Sequence, residues 1–523
     1  MLMSRTIKLL AVATMALAAA SNGIAAADPP KPKQKGGKFE RGARSLGDPL
    51  LPQIGNGGYD AAAYTIELDY APAANVFNSA RTTMVARATK NLSSFSLDFQ
   101  DLDVSRVTVN GRSARFAQRE ATPDLSENPD VTQPMKLIVK PKKGLRKGKR
   151  FTVKVDYSGQ PELIVDADTS IEGWIPACRN PGFAPPCDGA HVVNQPIGAQ
   201  SWFPSNNYPT DKARFDTIVT VPNGSTTLGI GELASRRTRG GKTTWHWRED
   251  DPTSTYLTTA TTGEFDYSQT TMVEDGGRTL PVYNAIDSGY DATQKANVNA
   301  SLALGPGMLN YLRGWYGPYP LDSTGAVVDD VPDVGYALEV MTKSHFSRLG
   351  TTTNDISDST HVHEIAHQWL GNTVTLAKWP DIWFNEGWAT WSQWIWGFET
   401  NGEASPDEIW DDLYANTPEE DWAIAPAVLD GDPANLFAGF PVYDRGAMVV
   451  EGVRQIIGEG RFRALIGTLL RDHRYGNIST RGFIAEVKDA SGFGGSRLAL
   501  LDQFLEQFLY GTTKPTVTPD SFG

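Results

Sequence analysis

The stretch His361-Val362-His363-Glu364-Ile365-Ala366-His367-Gln368-Trp369-Leu370-Gly371-Asn372 decides how the rest of the chain is read. It contains H-E-x-x-H. In a helix, His363 and His367 stand one turn apart on the same face and can bind one ion. Glu364, about 100° round the helix, flanks that ion without having to ligate it. Ser357, Asp358 and Ser359 offer N-cap oxygens before the stretch, and Gly371-Asn372 supplies a stop. A chance H-E-x-x-H in a chain with seven His has a probability on the order of 1 per cent. His361 lacks the four-residue relation to His367, so a solvated or hydrogen-bonded ring is expected there.

Two imidazoles leave a zinc site incomplete. Glu386 follows His367 by 19 residues, within Trp383-Phe384-Asn385-Glu386-Gly387-Trp388. Asn385 can cap a second helix, which places Glu386 in its first turn, facing the first helix. Two His and one carboxylate leave a fourth position for water, the catalytic arrangement of zinc. One Zn2+ per chain is therefore expected, on His363, His367 and Glu386, with Glu364 accepting the water proton.

Met1 to Ala27 reads as a secretory signal, with Arg5 and Lys8 at its start, an apolar run from Leu9 to Ala20, and small residues before Asp28. A secreted or periplasmic protein without stable membrane insertion is expected. The formal charge of −13 becomes −15 once Arg5 and Lys8 are removed (46 basic against 61 acidic residues). That balance argues against nucleic acid as a partner. Cys178 and Cys187 are the only cysteines, and a local disulfide is expected in an exported chain.

Residues 28–45, rich in Pro, Gly and Lys, predict a disordered lead-in. Residues 46–265 carry period-two alternation. Tyr64, Ile66, Leu68 and Tyr70 interleave with Thr65, Glu67 and Asp69, and short runs at 137–139, 151–157, 215–221 and 244–247 continue the pattern. These predict an N-terminal antiparallel β-sandwich or saddle. Residues 266–514 change character. Helical spacing marks Gln294 to Arg313, Arg445 to Ile457, Arg461 to Arg471, Gly482 to Ser491 and Leu498 to Leu509, and Ala326-Val327-Val328 reads as a buried strand. The class expected is α+β multidomain, with a mostly helical, metal-bearing domain behind the β domain. Seven tryptophans between Trp369 and Trp396 predict core packing around the zinc helices, with one or two shaping a pocket.

The spacing of His363, His367 and Glu386 is shared by gluzincins generally, including thermolysin-like zinc metallopeptidases, and four further stretches narrow the resemblance. Gly335-Tyr336-Ala337-Leu338-Glu339-Val340 resembles the G-A-M-E-N motif of the aminopeptidase N family. Pro441-Val442-Tyr443-Asp444-Arg445-Gly446-Ala447 resembles its Y-x-K-G-A segment. Ser201-Trp202-Phe203-Pro204 with Asp211-Lys212-Ala213 resembles its front-domain signature, and Phe508-Leu509-Tyr510-Gly511 its closing helix. The likeness is to short exported bacterial members. It implies an aminopeptidase acting on peptides with a free N-terminus. Glu339 and Gln195 would hold the substrate's amino end, and Tyr443 would stabilise the oxyanion. The motif's methionine and asparagine are Leu338 and Val340 here, its first glycine is Tyr336, and Arg445 stands for a lysine. The chain ends soon after the catalytic domain, without the long helical domain of larger members, so wider access to the site is expected. Two rivals stand beside this reading: a thermolysin-like endopeptidase, and a peptide-binding protein without turnover. The preferred N-terminal residue and the oligomeric state are not legible.

Overall fold

Period-two alternation sets the front of the molecule. In the strand Tyr59–Ala71, Tyr64, Ile66, Leu68 and Tyr70 are buried while Glu67 faces solvent. A computed structural model describes residues 37–523. This strand lies inside an eight-stranded sheet, between Ala213–Pro222 and Val76–Ala88. Its pairing with Ala213–Pro222 is parallel, the exception in a sheet otherwise antiparallel as expected. Parallel neighbours need a long crossover, and here the chain passes through two smaller sheets before it returns.

The expected signal segment lies outside the described residues. Of the lead-in expected to be disordered, residues 28–36 also lie outside the described residues, whereas Phe39 to Ser45 is ordered. Glu40–Arg41 pairs in parallel with Leu92–Asp98, and Gly42 N–H donates to the Ser94 carbonyl at 2.8 Å. The lysine-rich composition concealed this, because a two-residue edge strand draws its stability from main-chain bonds and not from its side chains.

Strands between Phe265 and Phe346 form a separate five-stranded sheet, ordered Phe265–Val273, Thr279–Asp287, Thr324–Val328, Ser344–Phe346, Ala337–Leu338, and Thr375–Leu376 pairs with Asn477–Ile478 on its own. The short strand Ala337–Leu338 therefore forms one edge. Among the described residues there are eight α-helices: α1 (Ala292–Tyr316), α2 (Asp358–Ala366), α3 (Ile382–Trp396), α4 (Pro406–Asn416), α5 (Arg445–Ile457), α6 (Glu459–Asp472), α7 (Thr480–Ser491) and α8 (Gly495–Tyr510). Residues 39–523 form one compact unit, and a single apolar cluster runs from Leu50 in the front domain to Val517. Trp369, Trp379, Trp383, Trp388 and Trp391 are at most 1% exposed, so the tryptophans are core. Cys178 and Cys187 are disulfide-bonded. Among the described residues no helix is long and apolar enough to cross a membrane.

Arg445, the first residue of α5, shows how the helices are locked together. It is fully buried, and all its partners are main-chain carbonyls: Phe508, Gln507 and Gly511 at the end of α8, and Trp422 and Ile424 in the preceding loop, at 2.7–3.1 Å. A cation here satisfies the orphan carbonyls of the α8 C-terminus. Burial lowers its pKa to about 10, which still leaves it charged. A lysine offers three donors where this site uses five. Arg445→Lys should therefore lower the unfolding free energy by roughly 2–6 kcal/mol, the cost of two buried carbonyls left unpaired. Denaturant titration measures it, and a change below about 1 kcal/mol would contradict this role.

Candidate active site

Helix α2 starts as its sequence dictates. Ser357 is the N-cap, its hydroxyl accepting from Thr360 N–H at 3.1 Å. Regular helix ends at Ala366, and His367 follows in helical conformation, its N–H donating to the His363 carbonyl at 3.2 Å. The two imidazoles thus lie one turn apart and edge-on, ring centroids 4.7 Å from each other and planes at 77°. Gly371, with φ of +137°, lets the chain turn sharply behind them. A Cβ there would lie 2.7 Å from His367 Nδ1.

Glu386 comes from α3, but not from its first turn. The helix begins at Ile382 after Asp381, so Asn385 is an interior residue and not the expected cap. Its amide donates to the Tyr256 hydroxyl at 3.2 Å. The aromatic residues Trp383 and Phe384 extend the helix backward because their burial outweighs the capping preference of asparagine. Glu386 nonetheless faces α2. Its Oε2 lies 3.2 Å from His363 Nε2 and 3.3 Å from His367 Nε2.

All seven residues singled out from the sequence line one cavity of about 250 Å³: Gln195, Glu339, His363, Glu364, His367, Glu386 and Tyr443. Ligand atoms of His363, His367 and Glu386 lie within 4.8 Å of one another, as do those of Glu339, Glu364 and His367. Gln195 Nε2 donates to Glu339 Oε1 at 3.1 Å. Tyr443 lies in the turn Gly439–Asp444 before α5, and its ring stacks near His363 at 6.1 Å. His361 is not solvated. It is buried on the other side of α2, edge-on to Phe346 at 5.7 Å, and burial lowers its pKa to about 4. None of the tryptophans lines the cavity.

The electrostatics follow from burial. Burial alone would raise Glu386, but the adjacent His367 and the hydrogen bonds from both imidazoles bring it down to about 2. Glu364 is held well above the usual carboxylate range, chiefly by burial; His367 opposes this while Glu339 and Glu386 reinforce it. Tyr443 is raised well above 10 by burial and then by Glu386, Glu339 and Glu364, so its hydroxyl keeps its proton and can donate.

The donor set fits zinc: two imidazole Nε2 atoms and one carboxylate oxygen converge in a buried pocket, with the Glu364 carboxylate alongside and its Oε2 unpartnered. One supporting residue escaped the sequence reading. Gln393 Oε1 accepts from His363 Nδ1 at 3.0 Å, which leaves Nε2 free to ligate, and its amide is fixed by Ser359 Oγ at 2.7 Å. Its signal was faint but present: Gln393 follows Glu386 by seven residues, two turns along one face of an aromatic helix. Gln393→Ala should weaken zinc binding about 10- to 100-fold, the usual cost of losing such a partner. Competition with a chromophoric chelator measures it, and unchanged affinity would contradict the assignment.

Comparison with known proteins agrees with this geometry. The Peptidase family M1 domain matches residues 347–508, and the Peptidase M1 N-terminal domain matches residues 60–257. Aminopeptidase M1-C of Oryza sativa subsp. japonica is 26% identical over 318 residues, 57% of this chain and 34% of that protein. Probable aminopeptidase 2 of Sulfurisphaera tokodaii is 24% identical over 331 residues, 59% of this chain and 40% of that protein. The chain thus spans about a third of the length of the rice relative. An M1 zinc metallopeptidase from Deinococcus radiodurans superposes with a TM-score of 0.75 at 25% identity, over 90% of this chain and 99% of that one. A mutant of the Deinococcus enzyme bound to a Tyr-Ser-Ala substrate gives a TM-score of 0.74 at 25% identity, with the same coverage. With its front and metal-bearing domains both matched, the chain belongs to peptidase family M1, the aminopeptidase N family.

Proposed function

We propose that the protein is a zinc aminopeptidase that hydrolyses the N-terminal bond of peptides. One observation carries the reading: Glu339 and Gln195 close the cavity beside Glu364 and His367, so a substrate's amino end has a fixed place next to the hydrolytic groups. His363, His367 and Glu386 would hold one Zn2+, with Gln393 fixing the His363 tautomer. When bound, zinc supplies Lewis-acid polarisation of the scissile carbonyl and acidifies the attacking water.

The chain's own residues do the rest. The Glu339 carboxylate pairs with the substrate's α-ammonium, and Gln195 keeps one carboxylate oxygen oriented. This pair limits how far the peptide enters and so places the first peptide bond at Glu364. Glu364 takes a proton from the attacking water and returns it to the leaving amine. Burial raises its pKa, the direction that favours its holding the proton between the two transfers. Tyr443, protonated and beside His363, donates to the oxygen on which negative charge develops.

A thermolysin-like endopeptidase is not favoured, because an internal peptide segment offers no positive partner for the buried Glu339 carboxylate in the cavity wall. A binding protein without turnover is not favoured either, since ligands, base and oxyanion donor share one cavity. Export to a periplasm or the extracellular medium belongs to the same proposal, supported by the signal-like first 27 residues and the Cys178–Cys187 bridge.

Free-amino and N-acetylated versions of one peptide test the reading. The free form should be cleaved at its first bond and the acetylated form at least ~10²-fold more slowly, because it lacks the ammonium. Equal cleavage would contradict the proposal. Glu364→Gln should keep zinc and lose at least ~10²-fold in turnover. Near-normal turnover in a zinc-loaded variant would remove Glu364 from the mechanism.

A further inference from the structure

Asn372 sits behind the cavity, fully buried, and ties together parts that must not move relative to one another. Its main-chain N–H donates to the His367 carbonyl at 2.9 Å. Its side-chain Nδ2 donates to the Glu339 carbonyl at 2.6 Å. Its own carbonyl accepts from Lys212 Nζ at 3.0 Å and from Thr375 Oγ1 at 2.8 Å. A zinc ligand, the amine anchor and the front domain are thus joined through a single residue.

The orientation of the amide is set by chemistry. The Glu339 carbonyl can only accept, so the nitrogen must face it. Gln368 holds the same segment more loosely, its Oε1 accepting from Thr342 N–H at 2.9 Å and its Nε2 lying 3.4 Å from the Glu339 carbonyl. Lys212 grips the turn from outside through the Asn372 and Thr373 carbonyls, and it has no carboxylate partner among the described residues. It belongs to the front-domain stretch Asp211-Lys212-Ala213, whose role the catalytic scheme leaves open.

We propose that Asn372 is a positioning residue for the aminopeptidase reaction: with Lys212 behind it, it fixes the main chain of Glu339 relative to His367, and so sets the distance between the amine anchor and the hydrolytic centre. This rests on the role given to Glu339. Asn372 touches no substrate. It acts through where the Glu339 carboxylate stands, and an error of about 1 Å there is enough to cost on the order of 10²-fold.

A double-mutant cycle tests it on the zinc-loaded enzyme. Asn372→Leu keeps the volume and removes the donor. Its kcat/KM for a free-amino peptide should fall about 10- to 100-fold, mostly through KM, with zinc content unchanged. In a Glu339→Ala background the same change should have an effect below about 3-fold, because nothing is left to position. Lys212→Met should follow the same pattern at smaller size, and it serves if Asn372→Leu does not fold. Equal losses in both backgrounds, or loss of zinc that accounts for the whole effect, would overturn the inference while leaving the aminopeptidase reading intact. Unchanged kinetics in Glu339→Ala alone would overturn both.

Discussion

A buried carboxylate lying just over 3 Å from two imidazoles is the constraint on which the rest of this structure depends. Isolated in a dry interior, Glu386 would stay neutral; facing His363 and His367, it is pulled down to about 2. Three such ligand groups gathered in a buried pocket are costly unless something offsets it, and a divalent cation does so with one set of contacts. The surroundings are built to hold that geometry. Gly387, next to Glu386, lets α3 approach α5 so closely that a Cβ there would lie 2.6 Å from Gly446. The turn carrying Tyr443 precedes α5 directly, and the Tyr443 ring stacks near His363.

The front domain does more than cover the catalytic one. Gln195 reaches in to Glu339, Lys212 holds the turn behind His367, and Tyr256 accepts from Asn385 while its hydroxyl lies 3.4 Å from the Gly371 carbonyl. Met341 N–H donates to the Leu257 carbonyl at 3.0 Å, so the segment leading away from Glu339 is also tied forward. The anchor proposed for a substrate's amino group is therefore built from both domains, whereas the residues proposed to hold zinc come from α2 and α3 and the turn between them.

This division explains what could be read from the residues and what could not. The imidazole pair, the alternation in Tyr59–Ala71 and the amphipathic helices near the C-terminus are local patterns, and they appear where periodicity placed them. Glu339, Tyr443 and Gln195 carry no local signal and were legible through resemblance; the fold brings all three to one cavity. Gln393 and Asn372 were missed because their roles are set by partners 30 and 33 residues away in the chain. Asn385 was misread as a cap because aromatic burial overrode its local preference. Phe39 to Ser45 was misread as disordered because main-chain pairing at a sheet edge leaves no trace in composition.

X-ray diffraction across the zinc absorption edge, on crystals of the zinc-loaded protein, tests the central claim most directly. The account predicts one anomalous peak within coordination distance of His363 Nε2, His367 Nε2 and a Glu386 oxygen, with Glu364 close by but not ligating. A peak elsewhere, or Glu386 turned away from an ion held by the imidazoles alone, would contradict it.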